Sequence, residues 1–324
     1  MYTQSQLKDI VEKTLLNLTL PAEASKLMDP VKYILSAGGK RLRPVLTLMS
    51  CNLFSDKIDH AVLPAAGLEI FHNFTLVHDD IMDNAPLRRN LKTVHTKWDL
   101  NRAILSGDVM VFIAGECFLH LPPELLHPVL KIYNKAAIDV CTGQQLDMDF
   151  EKMLTVTVDK YLRMIELKTA ALIAACMKIG ALLGGAAPKE RELLYNFGIN
   201  IGIAFQIQDD LLDAYGDTIK FGKTSGGDIA ANKKTFLYVR ALEAATGSTF
   251  KTLQSLYQEK NTNTEEKIKK VMEIYDALNI KTQTEELANN YISAAMSLLE
   301  SLPVNAERKN EIASTVLSLT GRTS

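Results

Sequence analysis

Six aspartates in two groups carry the most specific chemistry in this chain. Asp79, Asp80 and Asp83 form one Asp-Asp-x-x-Asp set, and Asp209, Asp210 and Asp213 form another. On a helix, residues four apart stand one turn above each other, so Asp79 and Asp83 share a face with Asp80 about 100° round. Like charges at that spacing destabilise a helix by roughly 0.2–0.5 kcal/mol per pair, and a cation relieves the strain. Carboxylate oxygens with water suit Mg²⁺, which keeps part of its hydration shell and shares the rest with substrate phosphates. A single set is better explained as a solvated acidic turn. Two sets, each led by an apolar run (Phe74, Leu76 and Val77; Phe205 and Ile207), point to helices that are buried where the acids emerge.

Basic residues gather in matching fashion. The run GGKRLRP (38–44) places Lys40, Arg41 and Arg43 in a turn that opens a helix, where glycines admit close approach and free N–H groups favour an anion. Arginine forks suit pairs of phosphate oxygens, and lysine acts as a point charge. Lys168, Lys223 and Lys233 add cations, the last two flanking a glycine-rich stretch. His72 lies seven residues before Asp79 on nearly the same stripe. Arg88 and Arg89 follow just past the helix end, and Gln206 precedes Asp210 by four. His78 has no such support and reads as structural. The two aspartate sets carry 2 × −3 = −6 when ionised. Divalent cations balance that charge, and a diphosphate then calls for free lysine and arginine. One diphosphate carried on metal and another held directly by cations imply two substrates.

These residues need long helices to hold them. The 324 residues are 47% hydrophobic and 23% charged, ordinary values for a soluble globular chain, and a net charge of −2 gives no hint of a nucleic-acid binder. Apolar residues recur at three- and four-residue spacing almost throughout, with no convincing alternating strand. The pattern predicts helices at 4–19, 30–37, 42–54, 61–84, 99–120, 126–150, 157–184, 189–216, 233–245, 249–259, 264–279, 281–301 and 305–320, with prolines between them. Short connections favour an all-α chain folded as one antiparallel bundle, a single domain over 1–324. Tyr215 to Lys234 reads as a mobile, glycine-rich loop. Cys51, Cys117, Cys141 and Cys176 are scattered among apolar or small residues, as reduced core cysteines would be. The first residues lack a signal-peptide layout, and the greasy stretch Thr169–Ala187 contains Lys178 and reads as a buried helix. The expected location is cytoplasmic.

In order along the chain come GGKRLRP, HDDIMDNAPLRR, GQQLD, Lys168-Thr169, FQIQDDLLD and FGKTSGGD with Lys233. This series, over about residues 35–240, resembles the trans-prenyl diphosphate synthases, short-chain farnesyl or geranylgeranyl type. The resemblance implies the isoprenoid synthase fold with a central active-site cavity, a homodimer, several Mg²⁺ ions, and the substrates isopentenyl diphosphate and an allylic diphosphate. It assigns Asp79, Asp80, Asp83, Asp209, Asp210 and Asp213 to Mg²⁺ bridging the allylic diphosphate, which Arg88, Lys168, Lys223 and Lys233 would grip. Lys40, Arg43, His72 and Arg89 would hold isopentenyl diphosphate, and Thr169 and Gln206 would face the reacting carbons. The family usually has glycine after the two arginines. Here Asn90 takes that place, and asparagine tolerates left-handed backbone, so the turn is expected to survive.

Product length is read from Phe74 and Phe71, five and eight residues before Asp79, which would floor an apolar channel, while Thr75 leaves some depth. In the family, a bulky residue five before the first acidic set accompanies short products. The expectation is a farnesyl or geranylgeranyl product. The alternatives are a longer-chain synthase, a terpene cyclase, or a non-catalytic partner subunit. A cyclase would not need GGKRLRP, and a partner subunit would be expected to have lost acids or arginines.

Overall fold

The computed structural model describes residues 1–21, 25–216, 226–258 and 264–320. They form sixteen α-helices and one two-stranded hairpin: α1 (Gln4–Leu16), α2 (Ser25–Ser36), α3 (Leu42–Asn52), α4 (Asp59–Met82), β1 (Leu87–Arg88), β2 (Leu91–Lys92), α5 (Val94–Lys97), α6 (Leu100–Glu116), α7 (Pro123–Lys152), α8 (Val158–Ile165), α9 (Ala171–Leu183), α10 (Pro188–Tyr215), α11 (Gly227–Ala230), α12 (Phe236–Ala244), α13 (Gly247–Leu256), α14 (Thr264–Ala277), α15 (Ile280–Glu300) and α16 (Ala306–Thr320). Between α8 and α9 runs a π-helical turn, Glu166–Ala170.

Local chemistry sets many helix starts. Thr3 and Gln6 exchange side-chain bonds in a capping box at α1. The Asp99 and Thr157 side chains accept from the N–H groups of Arg102 and Lys160 at α6 and α8. Pro30, Pro64 and Pro128 lie within helices and not between them, Pro64 and Pro128 inside spans already predicted helical. Each is the sixth residue of its helix, where a missing N–H costs one bond near the start and leaves the rest of the ladder whole. The expected single helix over 157–184 is interrupted by the π turn, and the helix expected from 233 begins at Phe236, after extended Thr235.

The chain divides into two compact units. The first comprises Met1–Tyr133, Cys176–Leu194 and Pro303–Ile312. In it α4 packs on α3 and α6, α2 on α6, and α1 on α3 and α4. Every residue of α3 from Pro44 to Asn52 is buried. A Cβ on Gly180 would meet the Thr47 carbonyl oxygen at 2.1 Å, so glycine is what lets that stretch of α9 touch α3. The second unit comprises Asn134–Ala175, Tyr195–Leu302 and Ala313–Ser324. Its core gathers Tyr161, Ile207, Phe236, Tyr238, Tyr257, Val271 and Tyr275.

Cys51, Cys117 and Cys176 are buried free thiols, and burial pushes the Cys176 thiol up to about 12. Cys141 departs from the expectation: it is exposed, on the outer face of α7. Among the described residues no helix is long and apolar enough to cross a membrane.

Candidate active site

In the first unit, the acidic station lies at the carboxyl end of α4. Asp79 and Asp80 occupy the last turn, and Asp83 caps it with its N–H bonded to the Asp79 carbonyl. The last turn contains no basic residue, so three carboxylates crowd the negative end of a helix dipole. The fold meets part of that charge from outside the helix. Arg88 Nε donates to Asp80 Oδ1 at 2.7 Å, and its Nη2 lies 3.4 Å from Asp79 Oδ2. Burial raises the Asp80 carboxyl pKa while Arg88 opposes the shift.

Arg88 is placed by the hairpin. Strands β1 and β2 pair antiparallel, Arg88 opposite Leu91. The two residues between them, Arg89 and Asn90, both have positive φ, 53° and 62°. This is the two-residue turn whose twist suits a hairpin, and Asn90 carries the left-handed backbone expected of it. Arg89 then donates to the Gly38 carbonyl, and the Tyr33 hydroxyl holds the Lys92 carbonyl at 2.8 Å.

The run at 38–44 divides its cations by task. Lys40 is exposed. Arg41, read from sequence as part of the anion-facing turn, is instead buried: Nε donates to Glu12 at 2.9 Å, Nη1 to Glu69 at 3.0 Å, and Nη2 to the Leu35 carbonyl. Its left-handed φ of 50° starts α3, leaving Arg43 within 2.9 Å of His72 Nε2. Burial holds the His72 pKa well below its usual value, reinforced by Arg43, Arg89, Arg88 and Arg41. Phe71 is buried against Phe74 and Tyr133 (ring centroids 5.4 and 5.3 Å), while Phe74 is half-buried and leans on His78. The Thr75 hydroxyl turns back to the His72 carbonyl. His78 reaches the Ile104 carbonyl.

In the second unit, Asp209, Asp210 and Asp213 occupy the last two turns of α10, which also ends without a basic residue. Its middle aspartate, like Asp80, is the buried one. Asp210 Oδ2 accepts from the Tyr161 hydroxyl and from the Phe236 N–H at 3.0 Å, and Oδ1 accepts from Gln206 at 3.0 Å. Burial pushes its carboxyl up to about 7 against the pull of those donors. Asp213 Oδ2 accepts from the Asp228 N–H at 2.8 Å.

The π turn carries Lys168 and Thr169. Such wide turns leave a backbone ladder locally slack and cluster at functional sites. Thr169 donates to Gln206 at 3.0 Å, and Lys168 Nζ meets Asp147 at 2.5 Å. A Cβ on Gly143 would lie 2.2 Å from the Lys168 backbone nitrogen. Gly143 and Asp147, the ends of GQQLD, therefore both serve Lys168: one admits the turn and the other holds its ammonium. Neither role was read from sequence, nor was that of Tyr161, although the four-residue spacing of Gly143 and Asp147 was the available signal. Beneath the turn, Gly202 and Gly198 of α10 approach Ala170 and Ala174 so closely that a Cβ would meet their Cα atoms at 2.4 and 2.5 Å. Lys233 comes just after α11, its N–H on the Asp228 carbonyl. Lys223 and much of the expected loop lie outside the described residues.

Among the described residues no three His, Cys, Asp or Glu side chains close into a preformed metal cage. Each acidic station by itself offers carboxylate oxygens of the kind Mg²⁺ takes alongside water and phosphate.

A search against protein families matches the polyprenyl synthetases over residues 24–275. A short chain isoprenyl diphosphate synthase from Methanocaldococcus jannaschii is 43% identical over 250 residues, covering 77% of this chain and 76% of that one. A geranylgeranyl diphosphate synthase from Sulfolobus acidocaldarius is 40% identical over 228 residues, 69% of each. A crystal structure of a geranylgeranyl pyrophosphate synthase superposes with a TM-score of 0.95 at 40% identity, covering 100% of both chains. The family match spans residues 24–275 and the fold matches over the full length, so the chain belongs to the polyprenyl synthetase family of prenyltransferases.

Proposed function

We propose that the protein joins isopentenyl diphosphate head-to-tail to an allylic diphosphate, giving a farnesyl or geranylgeranyl product and diphosphate. The observation that carries this reading is the shared design of the two acidic stations. In each, three aspartates crowd the carboxyl end of a long helix, and the middle one is buried against internal donors. Asp79, Asp80, Asp83, Asp209, Asp210 and Asp213 are assigned to Mg²⁺, the internal bonds of buried Asp80 and Asp210 holding each station in shape. Bound Mg²⁺ would supply charge to stabilise the departing diphosphate of the allylic substrate.

The remaining steps fall to side chains. Arg88, Lys168, Lys223 and Lys233 bind the allylic diphosphate and stabilise its charge as the C–O bond breaks. Thr169 and Gln206 face the allylic carbon, and their mutual bond fixes both. Lys40, Arg43, His72 and Arg89 hold isopentenyl diphosphate so that its double bond meets the cation. The proton lost afterwards goes to the released diphosphate, no side chain among the described residues being placed as a dedicated base.

Half-buried Phe74 is the ring a growing chain would meet, with Phe71 as its backing. A second copy of the chain is assigned to the α6 face, where Ile104, Leu105 and Phe112 are exposed, Phe112 by 73%. A Phe112→Glu variant would then sediment as a monomer.

The test is incubation with labelled isopentenyl diphosphate and dimethylallyl, geranyl or farnesyl diphosphate, with Mg²⁺ or chelator. Products of fifteen or twenty carbons, formed only with metal, are expected. No metal-dependent product from any starter would overturn the reading.

A further inference from the structure

Lys267 is a buried charge in the second unit that packing does not explain. It lies in α14, only 3% exposed, with its ammonium 5.1 Å from the centre of the Tyr257 ring. Tyr257 is itself stacked on Tyr238 (3.8 Å between centroids) and shares a 3.0 Å bond with the Tyr275 hydroxyl. Burying an ammonium among rings opposes folding, and a methionine of similar length would fill the space at less cost. The residue therefore calls for a reason other than packing.

That reason is Asn232. Lys267 Nζ donates to Asn232 Oδ1 at 2.5 Å. Asn232 has left-handed backbone, φ 59°, and directly precedes Lys233. Its turn is closed by the Asn232 N–H on the Ile229 carbonyl (3.2 Å) and the Lys233 N–H on the Asp228 carbonyl (2.9 Å). The other end of this short segment is held by the next residue of α14. Gly226, at φ 87°, lies so close to Ile268 that a Cβ there would stand 2.8 Å from its Cγ2. From Gly226 the segment reaches the acidic station: its N–H donates to the Asp213 carbonyl at 2.7 Å, and the Asp228 N–H to Asp213 Oδ2 at 2.8 Å.

We propose that Lys267 is a positioning residue, whose buried ammonium holds Asn232 and thereby fixes the segment Gly226–Lys233 against the second acidic station. It touches no substrate. It sets where Lys233 is presented and keeps the Asp228 N–H on Asp213, so its effect falls on the allylic diphosphate and not on isopentenyl diphosphate. The proposal rests on the roles given above to Lys233 and Asp213.

Two single variants and their double test it in the full-length protein: Lys267→Met, which keeps the packing, and Asn232→Gly, which keeps the left-handed turn but removes the acceptor. Steady-state KM values are read for both substrates, and calorimetry reads binding of Mg²⁺ with inorganic diphosphate. Losing a hydrogen bond to a charged group should raise the allylic KM and weaken diphosphate binding about tenfold in each single variant. The double variant should be no worse than either single, and the isopentenyl KM should stay within about twofold. Unchanged allylic KM and diphosphate affinity in folded Asn232→Gly would overturn the proposal. So would a parallel rise of both KM values with a lowered melting midpoint. Because calorimetry needs no turnover, wild-type protein that binds diphosphate with Mg²⁺ yet forms no prenyl product would sink the functional reading alone.

Discussion

Arg43 Nη1 stands 2.9 Å from His72 Nε2, and that contact fixes the state of the ring. A guanidinium can only donate, so Nε2 is the acceptor, the proton is on Nδ1, and the imidazole is neutral. Its pKa in the folded protein is well below the ordinary 6.5, through burial first and then the surrounding arginines. The unfolded chain therefore takes up a proton below pH 6.5 that the folded one refuses, and stability falls as pH drops through that value. The slope from this group is at most about 1.4 kcal/mol per pH unit. Urea midpoints for wild type and His72→Gln should agree at pH 7.5. At pH 5.5 the wild type should have lost more.

The buried fork of Arg41 gives a second test. Replacing it with methionine leaves Glu69, 3% exposed, as an uncompensated charge, and breaking a buried pair costs about 3–5 kcal/mol. Equilibrium urea unfolding of Arg41→Met should show a loss of that size. The isopentenyl KM should rise, because Glu69 lies one turn from His72. A loss below about 1 kcal/mol, the scale of an exposed pair, would contradict the clamp.

Isosteric changes that remove a single charge at the stations should separate binding from scaffolding. Asp79→Asn and Asp209→Asn remove one outer carboxylate each and should lower kcat by about 10²–10³, comparable to losing one oxyanion donor. Mg²⁺ titrations should show the metal requirement moving to higher concentration. A fall in kcat of less than about threefold would exclude the outer aspartates from the chemistry.

Product length should follow Phe74. Phe74→Ala is expected to shift products beyond twenty carbons on reverse-phase separation, with little loss of total turnover. Phe71→Ala should add a stability cost of about 3–5 kcal/mol, because it empties a site shared with Tyr133. Unchanged products in both variants would remove this helix from length control.

Most helices were legible because their apolar spacing is long and regular, and both acidic stations because charge next to an apolar run is rare. The hairpin was not: two strands of two residues each contain no period to detect, although Asn90 announced its left-handed turn. Arg41 was misplaced because an arginine beside Lys40 and Arg43 reads as a third anion ligand. Its partners Glu12 and Glu69 are distant in sequence, and only tertiary packing brings them in. Cys141 carries the composition of a core residue on an outward helix face. The Lys168–Asp147 and Tyr161–Asp210 pairs likewise join residues whose spacing along the chain has no local meaning.

The π turn has a consequence for the geometry of the whole rod on which it lies. A wide turn accommodates one residue more than an α ladder needs, and each residue advances a helix by about 100°. Glu166–Ala170 thus works as a vernier, setting the rotational phase of α9 against that of α8. In this setting Thr169 meets Gln206 while Ala170 and Ala174 seat on Gly202 and Gly198. Gly198, Gly202, Gln206 and Asp210 are each four apart, a single stripe down α10. Deleting one residue from the turn would let the ladder close as an ordinary helix, yet rotate that seat out of register with the stripe. The position of Asp210 is therefore indexed, notch by notch, to an irregularity one residue wide.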